Sequence, residues 1–112
     1  MFGIIKKLFA SADNSQLAEA IRSKATFLVD VRTPPEFAGG SVKGAVNIPL
    51  DKLSAHLGKF KGKENIVVFC RSGNRSSQAK HILERNGFKN VINGGTWQQV
   101  QQLQNEITTK RI

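Results

Sequence analysis

Seven consecutive residues concentrate the reactive chemistry of this chain: Cys70, Arg71, Ser72, Gly73, Asn74, Arg75 and Ser76. A thiol becomes a useful nucleophile once it is a thiolate, and nearby cations or oriented amides lower its pKa from the free value of about 8.5. The stretch can supply all of these. Arg71 and Arg75 bring two positive charges, Gly73 lets the backbone tighten without a Cβ, and Ser72, Asn74 and Ser76 can add hydrogen bonds from side chain or backbone. An inert cysteine at a strand end behaves as a small hydrophobe and needs none of these neighbours. The spacing therefore points to a charged sulfur in an anion-binding loop.

Such a loop needs a strand before it and a helix behind it. Ile66-Val67-Val68-Phe69 reads as a buried strand closed by Cys70, and Ala79, Ile82 and Leu83 give the apolar face of a helix that starts near Ser76. The helix N-terminus then adds partial positive charge beside the sulfur. In open parallel sheets, ligands bind beyond the carboxyl ends of the strands, which is where Cys70 falls.

The rest of the chain repeats the alternation. A leading helix carries Leu17, Ala18, Ala20 and Ile21, with Asp13, Asn14 or Ser15 as its cap. Thr26–Val31 reads as a strand ended by Pro34-Pro35, and Ala45–Ile48 as a second before Pro49. Leu50, Leu53 and Leu57 predict a helix opened near Asp51. Asn90-Val91-Ile92 reads as a last strand, and Gly87 suits a left-handed helix end. After Gly94-Gly95, Thr96 caps a helix that buries Trp97, Val100, Leu103 and Ile107. The pattern predicts an α/β fold, a mostly parallel sheet with helices on both faces.

Composition narrows the function. The chain has 112 residues, 39% hydrophobic, with one cysteine, so it forms one domain without an internal disulfide or a cysteine-rich metal site. No metal or other cofactor is expected. A lone thiol fits a reducing, cytoplasmic compartment, and it leaves no second cysteine for a dithiol cycle. The net charge of +9 suits anionic substrates or an acidic protein partner. The lysines are scattered and no nucleic-acid motif accompanies them, so nucleic acid is not expected. Residues 1–12 form an amphipathic segment interrupted by Lys6 and Lys7. A short helix packed on the domain or on a second subunit is its preferred reading, and a membrane-surface contact through residues 2–9 the lesser one.

Four ordered motifs resemble rhodanese domains: Asp30-Val31-Arg32 with Glu36-Phe37, Gly44-Ala45-Val46-Asn47-Ile48-Pro49, Cys70 through Ser76, and Gly94-Gly95 with Trp97. The resemblance covers roughly residues 13 to 107 and divides the chain into residues 1–12 and a rhodanese-like domain at 13–112. It implies a five-stranded parallel sheet. It also implies a sulfurtransferase in which the Cys70 thiolate takes the outer sulfur of thiosulfate, releases sulfite and passes the sulfur to a thiol or cyanide. The family often has histidine where this chain has Ser41.

Asp30, Arg32 and Trp97 are expected to be structural. Arg32 pairs Glu36 or Asp30 to hold the turn, and Trp97 packs behind the loop. His56 and His81 are expected at the surface. Two other functions compete. A cysteine-dependent phosphatase resembles this arrangement with five residues between cysteine and arginine, but Arg75 follows Cys70 after four, a tighter fit to sulfur than to phosphate. A persulfide carrier docking a partner protein would need the same loop.

Overall fold

The computed structural model describes residues 15–110. Four strands form one sheet in the order β2-β1-β3-β4, where β1 is Thr26–Asp30, β2 Val46–Asn47, β3 Asn65–Cys70 and β4 Val91–Thr96. Every pairing is parallel. The helices are α1 over residues 15–22, α2 Pro34–Ala38, α3 Asn74–Arg85 and α4 Trp97–Lys110, with a 3-10 helix at Leu50–Phe60 between β2 and β3.

The sheet is buried on both faces because each central strand sorts its side chains with a period of two. Ile66, Val68 and Cys70 of β3 join Val29, Leu53, Phe60, Ala79 and Leu83 on the side of α3 and the 3-10 helix. Val67 and Phe69 join Leu17, Ala20 and Val100 on the side of α1 and α4. That alternation aims the Cys70 side chain at α3.

The strand order places the site. From β1 the chain steps outward to β2, then crosses back to lay β3 on the other edge of β1. The winding direction reverses between β1 and β3, which opens a crevice at their carboxyl ends. Asp30 ends β1 and Cys70 ends β3.

The five-stranded expectation is corrected to four strands among the described residues. The segment ahead of β1 is helical and buries Leu17 and Ala20 at 2% and 3% exposure, so it cannot pair with the sheet. Residues 50–60 are helical as expected, but with 3-10 character and a break at His56. The helix expected near Ser76 starts two residues earlier, at Asn74.

Pro34-Pro35 ends the first strand and also opens α2, which the sequence reading did not anticipate. Thr33 caps α2, its side chain accepting from the Glu36 amide while the Glu36 carboxylate accepts from the Thr33 amide. Proline in the first turn costs nothing there, because its missing N–H would have no helical acceptor. The segment at residues 1–12 and the caps at Asp13 and Asn14 lie outside the described residues.

Candidate active site

Cys70 is fully buried. Its Sγ accepts the Gly73 amide at 3.0 Å and the Ser76 amide at 3.4 Å, and lies 3.5 Å from Ser76 Oγ. Gly73 is the N-cap of α3 and has no side chain with which to cap it. The sulfur fills that role by taking the amide of the third helical residue, as a serine or aspartate oxygen does at an ordinary N-cap. Gly73 has φ 95°, which a side chain would strain. This turn brings the amide proton back onto Sγ only three residues after the strand ends.

Two opposing effects act on the thiol. Burial alone would raise its pKa, since a charged sulfur prefers water. The Ser76 hydroxyl and the amides of Ser76, Ser72 and Gly73 outweigh burial, and the pKa falls below its ordinary value. Hydrogen bonds provide most of this lowering, and the nearby Arg75 cation interacts with the sulfur as well.

Arg75 points its guanidinium at Glu36, with Nη1 to Oε1 at 2.7 Å and Nη2 to Oε2 at 3.1 Å. That pairing, with the bond from the Thr33 amide, holds the Glu36 carboxyl at about 2. Arg71, Ser72 and Asn74 are exposed at the rim of the loop.

Arg32 pairs with Asp30 and not with Glu36. Arg32 Nε lies 2.9 and 3.0 Å from the two Asp30 oxygens, and Nη2 lies 2.7 Å from Oδ2. Both residues are buried, at 4% and 0% exposure. The cost of burying the charges is offset by further partners. Arg32 Nη2 also donates to the Gly40 carbonyl at 2.6 Å, and Ser41 Oγ donates to Asp30 Oδ2 at 2.6 Å. Ser41 thus completes the shell of Asp30. Trp97 stacks on the Arg32 guanidinium at 5.0 Å, and Asn47 donates to the carbonyls of Asp30 and Arg32 at 3.0 and 2.9 Å. This cluster locks the end of β1 beside the active loop.

The sequence reading missed Asn93, whose Oδ1 accepts from Ser76 Oγ at 2.7 Å. It weighed Glu36 only against Arg32. The Thr-x-x-Glu spacing from Thr33, with proline at the first helical position, was the available signal for how Glu36 is held. His81 is exposed as expected, whereas His56 is half-buried. Thr96 caps the last helix as expected, accepting the Gln99 amide at 3.1 Å.

Comparison with known proteins bears on this geometry. A sulfurtransferase of Allochromatium vinosum is 32% identical over 82 residues, covering 72% of this chain and 77% of that protein. The thiosulfate sulfurtransferase PspE of Escherichia coli is 36% identical over 69 residues, covering 60% and 66%. The chain spans 62% of the length of a mitochondrial relative from Schizosaccharomyces pombe, 38% identical over 88 residues. Among solved structures, a rhodanese with anions from E. coli superposes with a TM-score of 0.61 at 33% identity, over 66% of this chain and 89% of that one. A rhodanese-like domain protein from Staphylococcus aureus gives 0.62 at 35% identity, over 70% and 76%. The family model described as a rhodanese-like domain matches residues 13–102, and the chain belongs to that family.

Proposed function

We propose that this protein is a thiosulfate sulfurtransferase that carries sulfur as a persulfide on Cys70. The observation that carries the reading is the cradle of Gly73 and Ser76 amides on Sγ at 3.0 and 3.4 Å, set at the N-terminus of a helix. The first amides of a helix lack intrahelical acceptors and favour negative charge.

The Cys70 thiolate attacks the outer sulfur of thiosulfate. A bond forms between Sγ and that sulfur, the bond to the sulfite group breaks, and sulfite departs with the electron pair. Charge is conserved, since a thiolate and a dianion become a persulfide anion and sulfite. Residues 71–76 then surround a terminal sulfur whose negative charge the loop amides stabilise. A thiolate or cyanide attacks this sulfur in the second step, and the Cys70 thiolate returns. Arg71 stands at the rim to attract the dianion, while Ser72 and Asn74 add hydrogen bonds there. Arg75, bound to Glu36, holds the start of α3 in place. A phosphatase would need that guanidinium on its phosphate.

Mass spectrometry of the protein after thiosulfate treatment tests the reading. One added sulfur on Cys70, with loss of both adduct and turnover in Cys70→Ser, is expected. If no sulfur donor yields the adduct, the reading fails.

A relay role for the same persulfide is favoured by one feature. A hollow of about 290 Å³ lined by Val31, Thr33, Pro49, Leu50, Asp51 and Arg75 shares Pro49 with a second of similar size. Lys52, His56 and Lys59 line the second. The two lysines of the second hollow, reached from the active loop past Pro49, suit an acidic protein partner. Lys52→Glu combined with Lys59→Glu should slow sulfur exchange with such a partner and leave exchange with thiosulfate unchanged.

A further inference from the structure

Asn93, an exposed residue of β4, stands two hydrogen bonds from Cys70 Sγ, through the Ser76 hydroxyl. Its Oδ1 accepts from the Gly95 amide at 2.9 Å and from the Ser76 hydroxyl at 2.7 Å. A backbone amide can only donate, so the oxygen of the carboxamide, and not its nitrogen, faces Ser76. The irregular pairing of β4 builds this corner. β3 and β4 pair through Val68 and Asn93, skip Gly94, and resume with Phe69 and Gly95. The extra residue is a β-bulge, which re-aims a side chain at the rim of a sheet.

The Ser76 hydroxyl has one proton and three acceptors around it. Asn93 Oδ1 lies at 2.7 Å, the Gly73 carbonyl at 3.1 Å and Cys70 Sγ at 3.5 Å. It can serve only one of them well at a time. While sulfur is a thiol, its S–H points to Ser76 Oγ and the hydroxyl proton goes to Asn93. Once sulfur is a thiolate it has no proton to give and becomes the strongest acceptor in the corner. The hydroxyl then turns to Sγ, and Asn93 keeps its bond from Gly95.

We propose that Asn93 is a positioning residue that holds the Ser76 proton whenever Sγ is uncharged and yields it when the thiolate forms. The proposal rests on the reading of Cys70 as the sulfur nucleophile. In that cycle Sγ loses its charge twice, on protonation and on persulfide formation, when the charge moves to the terminal sulfur. Asn93 gives the hydroxyl a place to go each time.

Of the charged groups around the loop, Arg71 stands exposed at the rim and the others are paired. Arg75 on α3 is bound to Glu36 on α2, and Asp30 at the end of β1 to Arg32. The hydroxyl is the movable element.

The pH dependence of iodoacetamide labelling of Cys70, followed by mass spectrometry, tests the proposal without requiring sulfur transfer. Asn93→Ala removes the nearer of the two acceptors that compete with Sγ for the hydroxyl and leaves the Gly73 carbonyl. The labelling midpoint should fall by about half a pH unit, a threefold gain in thiolate. In a Ser76→Ala background the same substitution should shift nothing. Asn93→Asp keeps both acceptor positions and guards against misfolding of the alanine variant. It should raise the midpoint, by clearly less when Ser76 is also alanine. An unchanged or raised midpoint in a folded Asn93→Ala protein overturns the proposal. So does an Asn93→Asp shift of equal size in both backgrounds. Failure of the wild type to form a persulfide, with these couplings intact, strikes only the sulfurtransferase reading.

Discussion

Arg75 and Glu36 join two helices that the chain builds 39 residues apart, through parallel hydrogen bonds of 2.7 and 3.1 Å. The arginine comes from the first turn of α3, whose amides hold the sulfur, and the glutamate from α2, fixed in turn by Thr33. The pair therefore braces the active loop from outside. Its contribution should depend on pH in a defined direction. Glu36 titrates at about 2 in the folded protein, well below the ordinary carboxyl value of 4.5. A depressed carboxylate pKa adds stability that is complete above the unfolded value and is lost as pH falls toward the folded one. Denaturant unfolding at stepped pH should show wild-type stability declining between about 4.5 and about 2. In Arg75→Met that decline should be distinctly shallower.

The thiol should be acidic and shielded together. Labelling of Cys70 should reach half its maximum below the free-cysteine pKa of about 8.5, because the Ser76 and loop hydrogen bonds outweigh burial. At the high-pH plateau, a bulky maleimide should react at least about tenfold more slowly than with a free thiol, since Cys70 has no exposed surface. Iodoacetamide should be slowed less. Equal plateaus for both reagents would show an open sulfur.

Removal of Asp30 should be far more damaging than removal of Ser41. Asp30→Asn leaves the Arg32 guanidinium buried beside a neutral amide and should cost about 3–5 kcal/mol. Ser41→Ala deletes a single hydrogen bond to Asp30 Oδ2 and should cost about 1–3 kcal/mol. Thermal unfolding of the two variants should rank them in that order.

At Gly94 the limit is space. A Cβ there would lie 2.8 Å from Val100 Cγ2 and 3.1 Å from Val67 Cγ1. Gly94→Ala should destabilise the protein by about 1–3 kcal/mol through overpacking. Gly94→Ala with Val100→Ala should recover part of the loss in denaturant unfolding.

The loop after Cys70 is legible because its signals are local. An apolar run ending at Cys70, a glycine at 73 and a helical pattern behind it follow one another without a gap. The two-faced sheet followed from strand and helix periodicity in the same way. What escaped depended on distance along the chain. Glu36 could be matched to Arg32 or Arg75 only after the sheet order was known, and both pairings satisfy its charge. Asn93 reads as an ordinary residue before a glycine pair, and only the bulge beside Val68 turns it toward Ser76. The 3-10 segment escaped for another reason, since Leu50, Leu53 and Leu57 follow the three-then-four spacing of an α-helix and nothing local marks the break at His56.

Because Cys70 Sγ accepts a hydrogen bond from the Ser76 amide, this sulfur is also the knot that ties off α3. Whatever is attached to that sulfur alters an acceptor on which the first turn depends. The chemical state of one atom is thereby transcribed into the solvent exchange of nearby amide protons. Amides of residues 73–76 should exchange at different rates in the free and the alkylated protein.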